Sequence, residues 1–240
     1  MRTTSKAFLF ALLLASVMSV PVGSQAQSFL TNGLVACYPF NGNANDSSGF
    51  RNHGLIVGAT LTTDRFGNPR SAYRFTGDGS TYILIPNSPS LDITRNVTMT
   101  AWVLTGGGGT YSPRIISKYN YELGMDDTSP YPRMFGDLKP GAAVYSPNVP
   151  LNTTRWMFLA CTYDGQTVSV FTNGVQASQL ARTGSMTVSS RPLVIGANLD
   201  DGSDYFNGAI DDVRIYNRAL STNEVGQLFT IESQPLHDSR

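Results

Sequence analysis

The chain has 240 residues, with 17 basic and 17 acidic side chains, a formal net charge of +0, 14% charged residues, 23 Gly and 13 Pro. A balanced charge with no Lys/Arg run excludes the electrostatic footprint of a nucleic-acid binder or of a protein held to an anionic membrane surface. Two Cys and two His exclude a Cys/His zinc framework.

Taken in order, the chain opens with an export signal. Arg2 and Lys6 precede the apolar run 7–15, and Ser24-Gln25-Ala26 offers small residues for cleavage, so residues 1–26 are expected to be removed. The alternative is an N-terminal membrane anchor, but the run is short for a span of about 20 residues. No second apolar run follows, so the mature chain is expected without a membrane span, in the extracellular space, the periplasm or at the cell surface. Residues 27–233 are expected to form one domain and residues 234–240 a polar, loose tail.

The first strand is predicted over 34–40, where Leu34, Ala36, Tyr38 and Phe40 alternate onto one face. The turn-rich stretch 41–49 follows, and Asn41, Asp46 and nearby carbonyls make it a candidate cation loop, without the spacing of an EF-hand. Strands are predicted over 73–75 and 82–86, joined by the tight turn Gly77-Asp78-Gly79-Ser80. A longer strand covers 97–104. The glycine run 106–109 is a flexible loop and no phosphate cradle, since no Gly-Lys-Ser/Thr follows. Strands over 115–118 and 121–125 lead into a Pro- and acid-bearing loop at 126–132 and a short strand at 142–145.

The segment 156–163 is apolar on both faces and reads as a central strand. Asp164-Gly165 and Asn173-Gly174 then mark hairpins on either side of 167–172. Residues 193–196 lead to an acidic loop with Asp200, Asp201 and Asp204. The closing strand carries Ile210, Val213, Ile215 and Tyr216, with Asp211 and Asp212 inside the apolar run. Alternation along a strand predicts that these two carboxylates point opposite ways. A bare buried carboxylate costs several kcal/mol, roughly, so one of them needs a cation or a set of hydrogen bonds. Ser221-Thr222-Asn223-Glu224 has capping-box spacing and predicts a short helix to 228 or 229. Many short strands with regular turns and one helix define an all-β, two-sheet antiparallel β-sandwich with a short C-terminal helix.

Three stretches carry a family resemblance: Phe40-Asn41-Gly42-Asn43-Ala44 with Asp46, Ser48, Gly49, Asn52 and Gly54; Trp156 with Thr162-Tyr163-Asp164-Gly165 and Asn173-Gly174; and Ile210-Asp211-Asp212-Val213-Arg214-Ile215-Tyr216-Asn217-Arg218-Ala219-Leu220-Ser221. The chain resembles LamG-like jelly rolls of the concanavalin A-like lectin/glucanase superfamily, which includes laminin G domains and pentraxins. The resemblance implies a jelly-roll sandwich and a structural Ca²⁺ between the first loop and the closing strand. Asp211 would give its side chain, then Asp46, with the backbone carbonyl of Gly77 and, more weakly, Asn41 and Gly42 completing the set; the acidic loop of Asp200, Asp201 and Asp204 is a rival site. Pentraxins bridge a strand like 97–100 to one like 159–161. Thr100 stands at the first of those Cys positions, so that bridge is missing. Export permits a Cys37–Cys161 disulfide, and the sequence leaves it open.

The same resemblance covers sugar-binding modules, adhesion modules and glycosidases. The endoglucanases of this fold carry Glu-x-Asp-x-x-Glu, and of Glu122, Glu224 and Glu232 none begins that motif. No serine-hydrolase elbow is present either. The expectation is a secreted, non-catalytic binding module of carbohydrate-binding, lectin-like type. The alternative is a laminin G-type protein-adhesion module, and a glycoside hydrolase stands third. The partner is thus a glycan or an extracellular protein. Tyr111, Tyr119, Tyr121, Tyr131 and Tyr145 cluster in the middle third, as sugar-stacking candidates or as core and rim aromatics.

Overall fold

The structure, a computed structural model, describes residues 28–107, 112–126, 133–141, 143–146, 154–200, 202 and 204–235. The expected signal and its cleavage site, Tyr111, Tyr131, Asp201 and the end of the expected tail lie outside the described residues. A single helical turn, α1 (Ser28–Thr31), precedes the strands. These are β1 (Leu34–Tyr38), β2 (Leu55–Val57), β3 (Thr60–Thr62), β4 (Ala72–Thr76), β5 (Tyr82–Ile85) and β6 (Val97–Thr105). Then come β7 (Arg114–Lys118), β8 (Tyr121–Asp126), β9 (Arg133–Leu138), β10 (Val144–Tyr145), β11 (Met157–Tyr163), β12 (Thr167–Thr172) and β13 (Val175–Ala181). The chain closes with β14 (Leu193–Ile195), β15 (Ala197–Asn198), β16 (Asp204–Tyr205), β17 (Asn207–Tyr216) and helix α2 (Thr222–Glu232).

Two antiparallel sheets face one another. One runs β13-β12-β11-β6-β17-β4-β3, with β1 also paired to β17; the other runs β10-β9-β8-β7-β14-β5-β2. The two-sheet sandwich with one C-terminal helix of more than a turn is therefore as the sequence predicted. The inner faces supply one apolar cluster, to which Val97, Met99, Ala101 and Val103 of β6 and Leu159, Cys161 and Tyr163 of β11 contribute. The odd and even positions of these strands divide between layers, because side chains alternate across a sheet. Trp102 of β6 and Phe158 and Ala160 of β11 point the other way and meet Val225 and Leu228 of α2 and Phe29 of α1. The helix is thus a third layer on the outer face of the larger sheet.

Cys37 joins the outer cluster and Cys161 the inner one, so the sheet itself separates them, and both are free thiols. The bridge that the sequence left open does not form. Burial pushes the Cys161 thiol up to about 12.

Several strands escaped the sequence reading. Leu55–Val57 and Thr60–Thr62 are short edge pieces, and Arg133–Leu138 carries a Gly and an Asp that break the apolar pattern. Gly136 sits there because a Cβ at its position would lie 2.2 Å from Cys161 Sγ in the facing sheet. The two hairpin signals hold: Asn173 and Gly174 have φ of 48° and 76°, the positive pair that a type I′ turn demands between β12 and β13. The capping box also forms, with Ser221 N–H donating to Glu224 Oε2 at 2.7 Å and Glu224 N–H to Ser221 Oγ at 3.3 Å. Helix α2 continues to Glu232, past the predicted end at 228 or 229, because its last turn is held by the outer face of the sheet.

Candidate functional site

The closing strand β17 holds the middle of the larger sheet. On one edge it pairs with β6 along most of its length. On the other edge β4 pairs with residues 207–210 and β1 with residues 213–216, end to end. The sheet is open between them at Asp211 and Asp212. On the β6 side the register also shifts between Asp211 and Arg214. Asp212 there has φ of 43°, a left-handed conformation that breaks the alternation of the strand. The expectation that the two carboxylates point opposite ways is therefore corrected: the bulge turns both toward one partner.

That partner is Arg65, from the loop between β3 and β4. Its Nη1 donates to Asp211 Oδ2 at 2.6 Å and its Nη2 to Asp212 Oδ2 at 2.7 Å. Nε and Nη2 donate further to the Glu232 carbonyl oxygen at 3.0 and 2.7 Å. The guanidinium also lies over the Phe66 and Trp102 rings, 4.4 and 4.5 Å from their centroids. Helix α2 has no basic residue in its last turn, so Arg65 supplies the positive charge its C-terminus favours from another part of the chain. The Glu232 side chain is pinned in turn: Trp102 Nε1 donates to its Oε2 at 2.9 Å and Arg214 Nε to its Oε1 at 2.5 Å. Burial raises the Glu232 carboxyl to about 7 against the pull of Arg214. Burial, reinforced by the neighbouring Asp212, raises Asp211 to about 8 against Arg65. A cavity of about 410 Å³ opens beside this joint, lined by Asn41, Asp64, Asn68, Asp211 and Asp212 among others.

The residues expected to share a calcium ion are spread over three places. Asp211 and Asn41 line the same cavity. Asp46 lies beside β1, where its side chain takes the N–H of Cys37, the residue paired with Arg214 beyond the bulge. Its Oδ1 accepts from the N–H of Cys37 and Ser48 at 2.9 and 2.8 Å, and its Oδ2 from Ser48 Oγ and the N–H of Asn52 at 2.8 and 2.9 Å. Four donors fill the acceptor capacity of one carboxylate. Gly77 lies at the other end, beyond the Asn207–Thr76 pair and about 13 Å along the strand from Asp211. Gly42 donates its N–H to the Arg70 carbonyl at 2.9 Å in an exposed turn. In the rival acidic loop, Asp200 pairs with Arg191, and Asp204 lies 3.3 Å from Arg114 Nη1. Among the described residues no three His, Cys, Asp or Glu side chains converge as a metal group.

A second polar surface occupies the outer face of the smaller sheet. Tyr121, Leu123 and Met125 of β8 face the core, so Glu122 and Asp126 face outward; both are nonetheless buried. Glu122 stands directly across from Asp137 of β9. Residues so opposed have Cβ atoms about 4.5–5.5 Å apart, and like charges there repel. Glu122 is neutralised by Arg114 Nε, which donates to its Oε2 at 3.0 Å, and by Ser117 Oγ, which donates to its Oε1 at 2.7 Å. Asp137 Oδ1 is buried with no hydrogen-bond partner. One strand over, Val144 packs into the core and Tyr145 faces outward, 39% exposed. Of the other tyrosines, Tyr121 is core, its hydroxyl donating to the Leu91 carbonyl, and Tyr119 lies under Lys139 and Arg191.

The sequence reading missed Arg65 and Asp137 and weighed Glu122 only for catalysis. Arg65 sits in a turn, Asp64-Arg65-Phe66-Gly67-Asn68, that looks like any surface loop. The available signal was the unpaired Asp211-Asp212 doublet, which demands a cation from somewhere.

These two features sit on a jelly roll, and comparison with known proteins places the chain accordingly. Residues 77–226 match the model of the Laminin_G_3 family of the concanavalin A-like lectin/glucanases superfamily. The chain belongs to that family. It is 28% identical over 167 residues to Usherin of Mus musculus, an alignment covering 63% of this chain and 3% of that protein. Among solved structures it is similar to domain 4 of AbnA, a GH43 extracellular arabinanase from Geobacillus stearothermophilus, in complex with arabinotriose. That match has a TM-score of 0.65 at 21% identity, over 81% of this chain and 97% of that one. It is also similar to the binding domain of botulinum neurotoxin DC in complex with rat synaptotagmin II, with a TM-score of 0.63 at 15% identity, over 84% of this chain and 52% of that one. The chain therefore spans only a small fraction of its curated relative and about half of the toxin domain. Among the described residues no helix is long and apolar enough to cross a membrane.

Proposed function

We propose that this chain is an exported, non-catalytic module that binds a neutral glycan on the outer face of the smaller sheet. The observation that carries the reading is Asp137 Oδ1, a buried acceptor without a donor beside the opposed Glu122. Sugar hydroxyls are donors of the required kind, and the half-exposed ring of Tyr145 on the same face suits stacking on a pyranose or furanose. The carboxylates disfavour acidic sugars. Hydrolysis is disfavoured as well: Glu122 is held by Arg114 and Ser117, which leaves no free acid opposite Asp137. The arabinotriose bound by the arabinanase domain supports a glycan, and the synaptotagmin bound by the toxin domain keeps the protein-ligand alternative in view.

A glycan array followed by calorimetry on the wild type and Asp137→Ala tests the reading. Binding of a neutral oligosaccharide, weakened at least about tenfold in the variant by loss of one charged acceptor, is the expected result. Binding to matrix proteins and to no glycan would favour the adhesion module, and release of reducing sugar would make the chain a hydrolase. Export is checked by N-terminal sequencing of the secreted protein, with a start near residue 27 expected.

A further inference from the structure

We infer that Arg65 is the resident cation of the joint around Asp211, and that its guanidinium takes the place a bound calcium was expected to hold. The oxygens that face it are what a hard cation would seek: Asp211 Oδ2, Asp212 Oδ2 and the Glu232 carbonyl. They come from β17 and from the end of α2, and they meet where the sheet is open between β4 and β1. A single metal ion there would tie the helix to the strand. The guanidinium ties the same elements and adds the β3–β4 loop.

Three of its nitrogens make four hydrogen bonds to that set. The fork geometry suits two carboxylates better than a point charge does. Its flat faces are used as well, over Trp102 and Phe66, in contacts no spherical ion could make. The side chain is 8% exposed, so the charge is enclosed and little screened by salt. Both oxygens of Asp211 are already engaged, since its Oδ1 accepts from the Asp212 N–H at 2.8 Å. Asp46 is held elsewhere by its own four bonds, and Gly77 lies beyond the Asn207–Thr76 pair, away from the joint. The fold carries its own cation and needs no calcium at this joint.

The experiment is thermal unfolding of the full mature chain with calcium and with chelator, alongside elemental analysis, for the wild type, Arg65→Ala and Arg65→Lys. The wild type should hold no stoichiometric calcium and keep one Tm in both buffers. Arg65→Ala should melt lower and regain part of the loss with calcium, because the vacated oxygens then take the ion. Arg65→Lys should fall between the two without calcium, since an ammonium restores the charge and not the fork. If Arg65→Ala does not fold, Arg65→Lys carries the test: a Tm below the wild type and the same with calcium and with chelator is expected, and a Tm equal to the wild type would overturn the inference. One tightly held calcium in the wild type, with a Tm that falls on chelation and no longer does so in Asp211→Asn, would overturn the inference. So would an Arg65→Ala protein that melts like the wild type.

Discussion

Asp46 and Asp211 look alike in sequence, each a buried-to-be acid among turn formers or apolar residues, and the fold gives them unlike partners. Asp46 gathers three backbone N–H groups and a hydroxyl, closing the first loop onto β1. Asp211 meets a guanidinium. The difference follows from where donors are available: a tight loop turns its own N–H groups inward, whereas a strand spends its N–H groups on the ladder. Asp46→Ala leaves the Cys37 and Asn52 N–H groups buried and unpaired, at roughly 1–3 kcal/mol for each unsatisfied group. A loss of about 3 kcal/mol by urea unfolding at neutral pH is expected. Asp46→Asn, which keeps one acceptor oxygen, should lose less. A variant as stable as the wild type would show that the loop does not depend on this carboxylate.

Strand β9 shows how far an element can be read without its neighbour. The hydrophobic pattern of β6, β11 and β12 announces strands, because each presents a continuous apolar face. The Gly136-Asp137 pair in β9 looks like a turn. It is a strand because Gly136 lets Cys161 of the opposing sheet approach, a requirement that comes from the other layer. Gly136→Ala should therefore destabilise by overpacking, about 1–3 kcal/mol, even though Ala has the better intrinsic backbone preference. Adding Cys161→Ala makes room and should recover part of the loss; strictly additive losses in the double variant would remove the contact as the cause. The bulge in β17 is of the same kind. The apolar run predicts the strand correctly, and its alternation predicts the side-chain directions wrongly at the one place where two partner strands end.

The whole molecule is a three-layer stack, and Glu232 is where the outer layer is fastened. Its carboxyl is raised from 4.5 to about 7 by burial, so the folded state keeps a proton that the unfolded chain has lost. Between those two values the folded state binds more protons, and stability falls as pH rises from about 4.5 to about 7, by no more than about 1.4 kcal/mol per pH unit for this one group. Asp211 is raised in the same direction, from 3.8 to about 8, and extends the fall upward. Urea unfolding at a series of pH values should show stability decreasing from pH 5 to pH 8. Glu232→Gln should flatten the lower part of that profile and leave the upper part. A profile that rises with pH in the wild type would mean that Arg214 and Arg65 outweigh burial at these carboxyls.

Local chemistry decided much of this protein before any tertiary contact. Periodicity, the Asn173-Gly174 turn, the Ser221 cap and the closing motif around Asp211 specify a two-sheet sandwich with one helix, because each depends on residues within a few positions of one another. Which cation meets Asp211, why Cys37 and Cys161 stay apart and which carboxylate faces Glu122 depend on residues far apart in the chain. Arg65 is 146 residues from Asp211, and such partners have no local signature. Those questions were decided only when the sheets paired and packed, since register, the gap beside β17 and the two faces of the sheet exist only in the assembled fold.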